Sequence, residues 1–478
     1  MQSRELTNRR QFLKLAMISA IGTAVVAACA PAEAPTPTPA AKPAEAPKAQ
    51  APQPTSKPAE PKPAPSKVVE LRWEVRSGAT YIKLAEQGLE QFHKDNPNIR
   101  VSAEARAPTG YVEKMMSAMA AGTAPDVFQS WGWLFWQYAV KGQLFNHNDF
   151  IKDLRKEDLD DFCDWQWKGF QIPTTNFRFG VPTYINMMVL YYDKAAFEEA
   201  KMDFPTVDWD HDNYKEMVAR LTKKDSSGRT TRWGGFIPAW QFDRFQNHVL
   251  MYGGHVVDPN DLTKTWLDRP EAQEALEWVR KLMWDENTLI QPLQAERQWT
   301  VTIFPTKKIA TAEDGMHALK RITEDTPFEW DIAHVPKGPV RRAVLGTTDG
   351  WAVWKGTKHR QEAWELAKFA IGTHFLKLQS RVEQLIPPRK SLLEDWAKVV
   401  REQYPKLEKV NLKVPIDALT TMGYPVVDEI FLCQSEVNEI IVPALEKVFI
   451  TGGTPVSYFK EIKPKIEEAA GICKATFG

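Results

Sequence analysis

The feature that most constrains the fold is an alternation of strand and helix patterns that begins at Val68. Apolar residues recur at every second position over residues 69–75 and then with helical spacing over residues 82–92. The pattern repeats, and it predicts a strand over 99–103, a helix over 111–121 and a strand over 126–130. Because strands joined by helical crossovers lie parallel in one sheet, the pattern predicts an α/β fold that starts with a parallel sheet.

Residues 1–28 have the features of an export signal. Arg9, Arg10 and Lys14 form a basic start, and the apolar run after them covers only residues 15–28. That run is too short for a membrane-spanning helix, which takes roughly 20 residues. The motif RRQFLK resembles the twin-arginine signal, which exports proteins that have already folded. We therefore expect residues 1–28 to be a signal peptide rather than a permanent membrane helix.

A cysteine and a proline-rich segment follow. Residues 26–29, Val-Ala-Ala-Cys, resemble a bacterial lipobox, in which the cysteine is acylated and becomes the new N-terminus; the alternative is an ordinary secreted protein. Proline is the most frequent residue over 30–67, and such a composition favours extended chain over a packed core. We expect residues 29–67, with a lipid on Cys29, to tether an extracytoplasmic protein to the cell membrane.

Charge and length limit what the folded part can be. Residues 1–67 hold nine basic and four acidic side chains in a neutral chain, so the segment from residue 68 onward has a formal charge of −5. Such a segment lacks the positive surface that nucleic-acid binding requires, and we expect no nucleic-acid partner. Its roughly 410 residues exceed a single hydrophobic core and predict two domains.

The cysteines show no metal or redox motif. Besides Cys29, the chain has Cys163, Cys433 and Cys473, without CxxC spacing. We expect them to be buried small apolar residues or to include one disulfide pair.

Motifs for metals and nucleophilic catalysis are also absent from the sequence. No HExxH, GxSxG or P-loop pattern occurs. The series Asp208, Asp210 and Asp212 begins like a calcium loop but lacks the glycine and the glutamate that such a loop needs, and it is expected to cap the next helix. We expect no metal and no cofactor.

Seven phrases occur in a characteristic order along the folded part. They are FHKDNPNIRV, YVEKMMSAMAAGTAPDV, AVKGQL, GVPTYINMMVLYYDK, FEWDIAHVPKG, GTTDGWAVWKG and LIPPRK. In this order they resemble the bacterial extracellular solute-binding proteins of the sugar-binding type, relatives of maltose-binding protein, over nearly all of residues 68–478. The resemblance implies a monomeric receptor rather than an enzyme, with a saccharide ligand and the permease subunits of an ABC importer as partners.

The same resemblance implies the architecture. The family has a two-lobed, periplasmic-binding-protein-like (type II) α/β fold that closes on ligand about a hinge. For this chain the resemblance implies a first lobe of residues 68–182 with 336–386 and a second lobe of residues 183–335 with 387–478. The hinge crossings are expected where apolar strand ends meet proline, at Val181-Pro182, Val335-Pro336 and Pro387-Pro388.

A saccharide site needs aromatic platforms for C–H faces and polar groups for hydroxyls. The chain has 18 tryptophans, and one cluster, SWGWLFWQY, directly follows the third predicted strand. Because ligands bind at the carboxyl ends of strands in an open parallel sheet, Ser130, Trp131 and Trp133 are expected at the cleft. Trp136 and Tyr138 are expected on the core face of the helix.

Two more clusters supply candidate ligand contacts. The resemblance places Tyr184 and Asn186 beside the hinge, where either ligand contact or a structural role is open. In TTDGWAVW, Asp349 offers an acceptor and Trp351 a platform, and Gly350 lets backbone approach a ligand closely.

Three single residues complete the candidate ligand-binding set. Trp240 is a platform candidate on the second lobe, with core packing as the alternative. Ser77 and Arg389 are the other two.

Two other functions remain open from the sequence. A surface glycoside hydrolase would use two carboxylates roughly 5 to 10 Å apart across an aromatic groove. A receptor for a glycerol phosphodiester or another polyol would use converging arginines, for which Arg76, Arg178 and Arg389 are candidates. The aromatic clusters favour a sugar, and we expect an oligosaccharide.

Overall fold

The computed structural model describes residues 68–106, 110–173 and 175–473. The signal peptide, the lipidation of Cys29 and the tether predicted for residues 1–67 lie outside the described residues. Among the described helices, none combines the length and the apolar character that crossing a membrane requires.

The described residues form fourteen strands and eighteen α-helices. The strands are β1 (Val69–Val75), β2 (Ile99–Ala105), β3 (Val127–Ser130), β4 (Val181–Pro182), β5 (Asn186–Asp193), β6 (Lys223–Lys224), β7 (Thr230–Arg232), β8 (Val257–Asp258), β9 (Asp261–Thr265), β10 (Thr311–Gly315), β11 (Trp330–Ala333), β12 (Val344–Thr347), β13 (Gly350–Val353) and β14 (Pro425–Val427). The helices are α1 (Ala79–Asp95), α2 (Tyr111–Ala121), α3 (Gly132–Val140), α4 (Asn148–Ile151), α5 (Lys156–Asp160), α6 (Asp164–Gly169), α7 (Lys194–Glu199), α8 (His211–Leu221), α9 (Phe242–Met251), α10 (Pro270–Arg280), α11 (Thr300–Ile303), α12 (Leu319–Asp325), α13 (Arg360–Ala370), α14 (Thr373–Glu383), α15 (Leu393–Gln403), α16 (Lys413–Asp417), α17 (Gln434–Leu445) and α18 (Tyr458–Ala470).

The first sheet has the strand order β2-β1-β3-β13-β4. β1 lies parallel to both β2 and β3, with α1 and α2 as the connecting helices, as the alternating pattern predicted. Asn96 caps the C-terminus of α1, and Gly122 caps that of α2 with a φ of 73°, a left-handed conformation that suits glycine. The predicted α/β class with a parallel start is confirmed.

The second sheet is built around β5. It has the order β10-β5-β12-β14, and β11 also pairs with β5. All eight residues of β5 are buried, which explains the almost continuous apolar run NMMVLYY in the sequence. Strand β12 pairs antiparallel with β5 and parallel with β14.

The chain passes between the two sheets at three places. It leaves β4 in the first sheet and enters β5 in the second within residues 183–185, and it returns between Thr347 of β12 and Gly350 of β13. The prediction of a crossing at Val335-Pro336 is therefore wrong, because β12 is still hydrogen-bonded to β5 and β14. The sequence could not show which sheet β12 joins, because a buried strand has the same apolar pattern in either sheet.

The third passage lies between α14 and α15. Phe375 of α14 packs in the core of the first sheet, whereas Trp396 of α15 packs in the core of the second. Residues 387–388 lie between these helices, and Ile386 bridges to Ile185 beside the first passage. Two of the passages are thus adjacent in space.

Each face of the first sheet has its own apolar cluster. One contains Trp73, Trp351 and Phe375, and the other contains Trp136 and Tyr138, which the sequence assigned to the core. A larger cluster surrounds the second sheet. The two sheets with their separate cores are the two lobes of the molecule.

The aspartate series and the cysteines have structural roles. The side chain of Asp210 accepts a hydrogen bond from the Asn213 N–H and caps α8, as predicted for the aspartate series. Of the two arrangements left open for the cysteines, the structure has a disulfide between Cys433 and Cys473, with Cys163 buried as a free thiol.

Candidate functional site

Two cavities of about 510 Å³ each lie between the two lobes and share the side chain of Trp299. The first, here called the aromatic cavity, is lined by Trp131, Trp133, Trp240, Phe242 and Trp299 among others. The second, here called the polar cavity, is lined mainly by polar and charged side chains, and Trp299 is its shared wall. Together the two cavities form the cleft.

Trp131 is the most exposed aromatic side chain that the first lobe contributes to the aromatic cavity. It is 37% exposed and precedes α3 in an extended conformation, directly after β3 ends at Ser130. Trp133 follows in the first turn of α3 and lines the same cavity. The strand end that the sequence singled out therefore does lie at the cleft.

Ser130 itself is buried behind this wall. It is 1% exposed and pairs with Gly350 of β13, so its side chain does not line either cavity. Ser77, by contrast, lines the polar cavity and donates from its hydroxyl to the Arg106 carbonyl at 3.0 Å.

The second lobe contributes Trp240, which lies shortly before α9, and Trp299, which lies shortly before α11. Trp240 is 9% exposed and packs against Phe236, with ring centres 5.6 Å apart, while its edge lines the aromatic cavity. Trp299 is 49% exposed and stands just before α11. It follows Glu296 and Arg297, both of which have a φ of 54° and turn the chain sharply.

A hydrogen-bonded network links the polar cavity to the hinge. Arg76 lines that cavity and donates to the Tyr184 hydroxyl at 3.0 Å, which in turn donates to Asp349 Oδ1 at 2.7 Å. The other carboxylate oxygen of Asp349 accepts from the Thr347 hydroxyl. Both of Arg76's hydrogen bonds to described residues use Nη1, which donates to the Tyr81 and Tyr184 hydroxyls.

Asn186 holds His317 and Thr347 by hydrogen bonds. Its Oδ1 accepts from the backbone N–H of His317 at 3.1 Å, and its amide donates to the Thr347 hydroxyl at 3.3 Å. His317 lines the polar cavity, and burial lowers its pKa, so its ring is neutral near neutral pH. Asn186 thus orients a cavity residue.

Most of the remaining charges of the polar cavity are paired. Lys320 lies 3.1 Å from Glu383, and burial raises the pKa of Glu383 above its ordinary value. Asp314 lies 3.1 Å from the buried Arg244. A cavity whose charges are largely neutralised in this way suits a neutral, hydroxyl-rich ligand better than an ion.

Two predicted site residues have purely structural positions. Trp351 is 1% exposed, and its ring centre lies 5.1 Å from that of Trp73 in the core. Because side chains alternate along β13, Trp351 packs with Trp73 on one face of the sheet, while its neighbour Ala352 packs in the apolar cluster on the other face. A Cβ atom at Gly350 would clash with the Val181 carbonyl and the Phe170 ring. Packing against these two residues therefore requires glycine at this position. Trp351 is therefore not a ligand platform, and Gly350 brings the backbone close to Val181 and Phe170 and not to a cavity, contrary to the prediction for both residues.

Arg389 is likewise a structural residue. It is 5% exposed, donates from Nε to the Ile371 carbonyl at 3.0 Å, and lies 3.3 Å from Asp161. Its guanidinium also covers the Phe162 ring at 4.4 Å. It joins the hinge region to α5 instead of facing a cavity.

The sequence did not single out Trp299, Phe242 or Tyr81 as cleft residues. Trp299 had a signal, since it is a lone tryptophan in the polar run QAERQWT. Phe242 and Tyr81 had none, because each lies on an amphipathic helix whose apolar face also builds the core.

The fold and the cleft define a class, the two-lobed α/β binding proteins that hold a ligand between their lobes. Within this class the chain belongs to the bacterial extracellular solute-binding protein family, whose model matches residues 73–373.

Known relatives agree with this assignment. The chain is 22% identical over 317 residues to a putative binding protein of Brucella abortus, covering 64% of this chain and 72% of the relative. An ABC substrate-binding protein of Listeria monocytogenes, solved in complex with cycloalternan, has a TM-score of 0.71 at 22% identity and covers 85% of this chain and 100% of its own. Maltose-bound MalE3 of T. maritima has a TM-score of 0.66 at 19% identity, with coverage of 84% and 100%. The fold of the chain is that of the two solved proteins.

Proposed function

We propose that the protein is the substrate-binding component of an ABC importer and that it captures an oligosaccharide in the cleft between its lobes. The observation that carries the proposal is the composition of the cleft. Aromatic side chains from both lobes surround one cavity, and the adjoining cavity is lined by polar groups, with Trp299 belonging to both. Aromatic faces bind sugar C–H groups and the polar groups bind hydroxyls.

The size and division of the cleft support more than one sugar unit. Each cavity has about 510 Å³, within the range of roughly 300 to 1,000 Å³ of small-molecule sites. A ligand that contacts Trp131 at one end and Arg76 at the other has to pass Trp299. The solved neighbours with cycloalternan and maltose give the proposal further support.

Closure of the lobes supplies the transport signal in this proposal. Ligand contacts to Trp131 from the first lobe and to Trp240 and Trp299 from the second are complete only when the lobes are close, so ligand shifts the population toward the closed form. The closed form is then presented to the permease. A lipid on Cys29, after export through a twin-arginine signal, would hold the receptor at the outer face of the cell membrane.

The polyol-phosphate alternative loses its main support. Of the three arginines considered for it, Arg76 alone lines a cavity, whereas Arg178 bonds to the Trp167 carbonyl and Asn148, and Arg389 pairs with Asp161. Arg76 is already bonded to Tyr184, and the other cationic side chains of that cavity, Lys320 and Arg321, pair with Glu383 and Asp325, so the cavity has no cluster of free cations for a phosphate among the described residues.

Isothermal titration calorimetry tests the proposal. The chain is titrated with maltose, maltotriose, mannotriose and cycloalternan, and the saccharides are recovered by chromatography afterwards. We expect one-to-one binding of at least one saccharide and recovery of the unchanged compound. An absence of both heat and thermal shift with every saccharide would overturn the sugar assignment, and shortened products would indicate a hydrolase.

The membrane anchor is tested separately. Cys29→Ser is compared with the unaltered chain by membrane fractionation and by mass spectrometry of the mature N-terminus. We expect the variant to leave the membrane fraction, and its retention there would contradict the lipid anchor while leaving the receptor function untouched.

A further inference from the structure

A buried arginine lies behind the exposed ring of Trp131. The guanidinium carbon of Arg106 is 4.8 Å from the centre of the Trp131 ring and 4.2 Å from the centre of the Tyr111 ring. These two rings are stacked on each other, with centres 6.3 Å apart and planes 20° apart. Arg106 therefore contacts both the platform of the aromatic cavity and the ring that supports it.

Arg106 is in turn fixed by groups of the first sheet. It follows β2, is 5% exposed, and donates from Nη2 to the carbonyl of Gln129 on β3. Its Nε lies 3.8 Å from Oε1 of Glu74 on β1, whose side chain is 12% exposed. Glu74, Arg106 and Trp131 thus form a continuous column from the sheet to the cleft.

Among the described residues, few charged or titratable groups surround Glu74. Arg106 and Tyr111 face it from the cleft side, and Tyr138 lies close to both of them. On the other side are Glu104, its register partner on β2, and Arg72, which lies 2.8 Å from Glu104. Because Arg72 and Glu104 pair with each other, Arg106 is the main charged partner of Glu74.

Glu74 changes its charge near neutral pH. Burial raises the pKa of Glu74 to about 7, against the opposing effect of Arg106. The guanidinium of Arg106 is consequently neutralised by a carboxylate above this pH and faces an uncharged acid below it.

We propose that Arg106 is a positioning residue for Trp131 and that the charge on Glu74 sets how strongly the Trp131 ring holds a saccharide. The proposal rests on the proposed function. With Glu74 ionised, the carboxylate fixes and neutralises the guanidinium, and the ring face keeps the negative potential that attracts sugar C–H groups. With Glu74 protonated, the positive charge of Arg106 is not neutralised. It then polarises the π electrons of the Trp131 ring and weakens the attraction between the ring and sugar C–H groups. Saccharide affinity therefore rises with pH through the range around 7.

The test compares the pH dependence of binding in matched variants. Calorimetry with maltotriose, or with whichever saccharide of the panel binds most tightly, is carried out from pH 5.5 to 8.5. In the unaltered protein we expect the affinity to rise by about two- to five-fold across this range. Glu74→Gln is expected to abolish the rise, and Arg106→Gln to lower the affinity at all pH values, with Arg106→Lys in between.

Glu104→Gln is the matched control, since it removes a carboxylate of the same kind at the paired position of the neighbouring strand. It is expected to keep the rise and to move its midpoint to lower pH, because the negative charge of Glu104 contributes to the raised pKa of Glu74. Loss of the rise in Glu104→Gln, or its persistence in Glu74→Gln, would overturn the proposal.

A ligand-free measurement separates this proposal from the proposed function. The fluorescence of Trp131 is isolated as the difference between the unaltered protein and Trp131→Phe, and it is followed over the same pH range. We expect a transition near pH 7 that is absent on the Glu74→Gln background. If this transition is present and no saccharide binds, the proposed function fails and the positioning role stands; a flat difference signal refutes the positioning role whatever the protein binds.

Discussion

The hydroxyl of Tyr184 donates a 2.7 Å hydrogen bond to Oδ1 of Asp349, and this bond joins two of the segments that pass between the lobes. Tyr184 lies between β4 and β5, and Asp349 lies between β12 and β13. Arg76 donates to the same hydroxyl from the polar cavity. The cleft and two hinge segments are therefore parts of one hydrogen-bonded unit.

Tyr184→Phe tests this unit. The variant leaves Arg76 and the buried Asp349 carboxylate without the hydroxyl between them, and we expect the free energy of unfolding to fall by about 1 to 3 kcal/mol. Urea denaturation measures the change. Tyr458→Phe is the control, because its hydroxyl accepts a 3.3 Å hydrogen bond from the exposed side chain of Lys447 and joins no hinge segment. A change as large in the control would argue against a special role for Tyr184.

Trp299→Ala tests whether one ligand spans both cavities. Because Trp299 belongs to both and is 49% exposed, we expect saccharide affinity to fall by about ten- to thirty-fold while the melting temperature stays nearly unchanged. Calorimetry and thermal unfolding provide the two readings. Leu293→Ala is the matched control on the same segment, since Leu293 is 58% exposed and lines neither cavity, and an equal effect of both variants would contradict the role of Trp299.

Truncation of Trp351 is expected to affect stability, whereas truncation of Trp131 is expected to affect saccharide binding. Trp351→Ala opens a void beside Trp73 and is expected to lower the free energy of unfolding by about 3 to 5 kcal/mol. Trp131→Ala is expected to lower saccharide affinity with little loss of stability, because its ring is 37% exposed at the cavity. Guanidinium denaturation and calorimetry on both variants check the pair, and a stable Trp351→Ala would show that the core assignment is wrong.

His147 predicts a loss of stability in mild acid. Burial lowers its pKa to about 4, and its Nε2 accepts a 3.1 Å hydrogen bond from the Val353 N–H, which a protonated ring cannot do. The unfolded chain takes up a proton below about pH 6.5 and the folded chain does not, so stability is full above that pH and falls as the pH drops toward 4. The contribution is about 3 kcal/mol by pH 4.

Urea denaturation at pH 7 and pH 4.5 measures this loss. His147→Gln is expected to lose less stability between the two pH values than the unaltered protein, and the exposed His374→Gln is expected to lose as much as the unaltered protein does. An equal loss in both variants would assign the acid sensitivity to other groups.

Local sequence patterns determined the α/β class, the first elements and one wall of the cleft. Period-2 and helical spacing predicted β1, α1, β2, α2 and β3, because these elements follow one another with short connections. The end of β3 then placed Trp131 and Trp133 at the cleft, since the carboxyl ends of parallel strands meet at one edge of the sheet. These inferences needed no information from distant parts of the chain.

Only the tertiary structure decided which sheet each later strand joins and which tryptophans face the cleft. β12 lies in the second sheet because it pairs with β5, which comes far earlier in the sequence, and no local pattern encodes that partner. Trp351 and Trp299 differ in the same way: strand pairing turns the first into the core, while the turn at Glu296 and Arg297 exposes the second. The sequence by itself therefore determined the kinds of element and the chemistry available to the site, whereas long-range pairing and packing decided which of those side chains meet around the ligand cleft, because side-chain direction depends on partners far away along the chain.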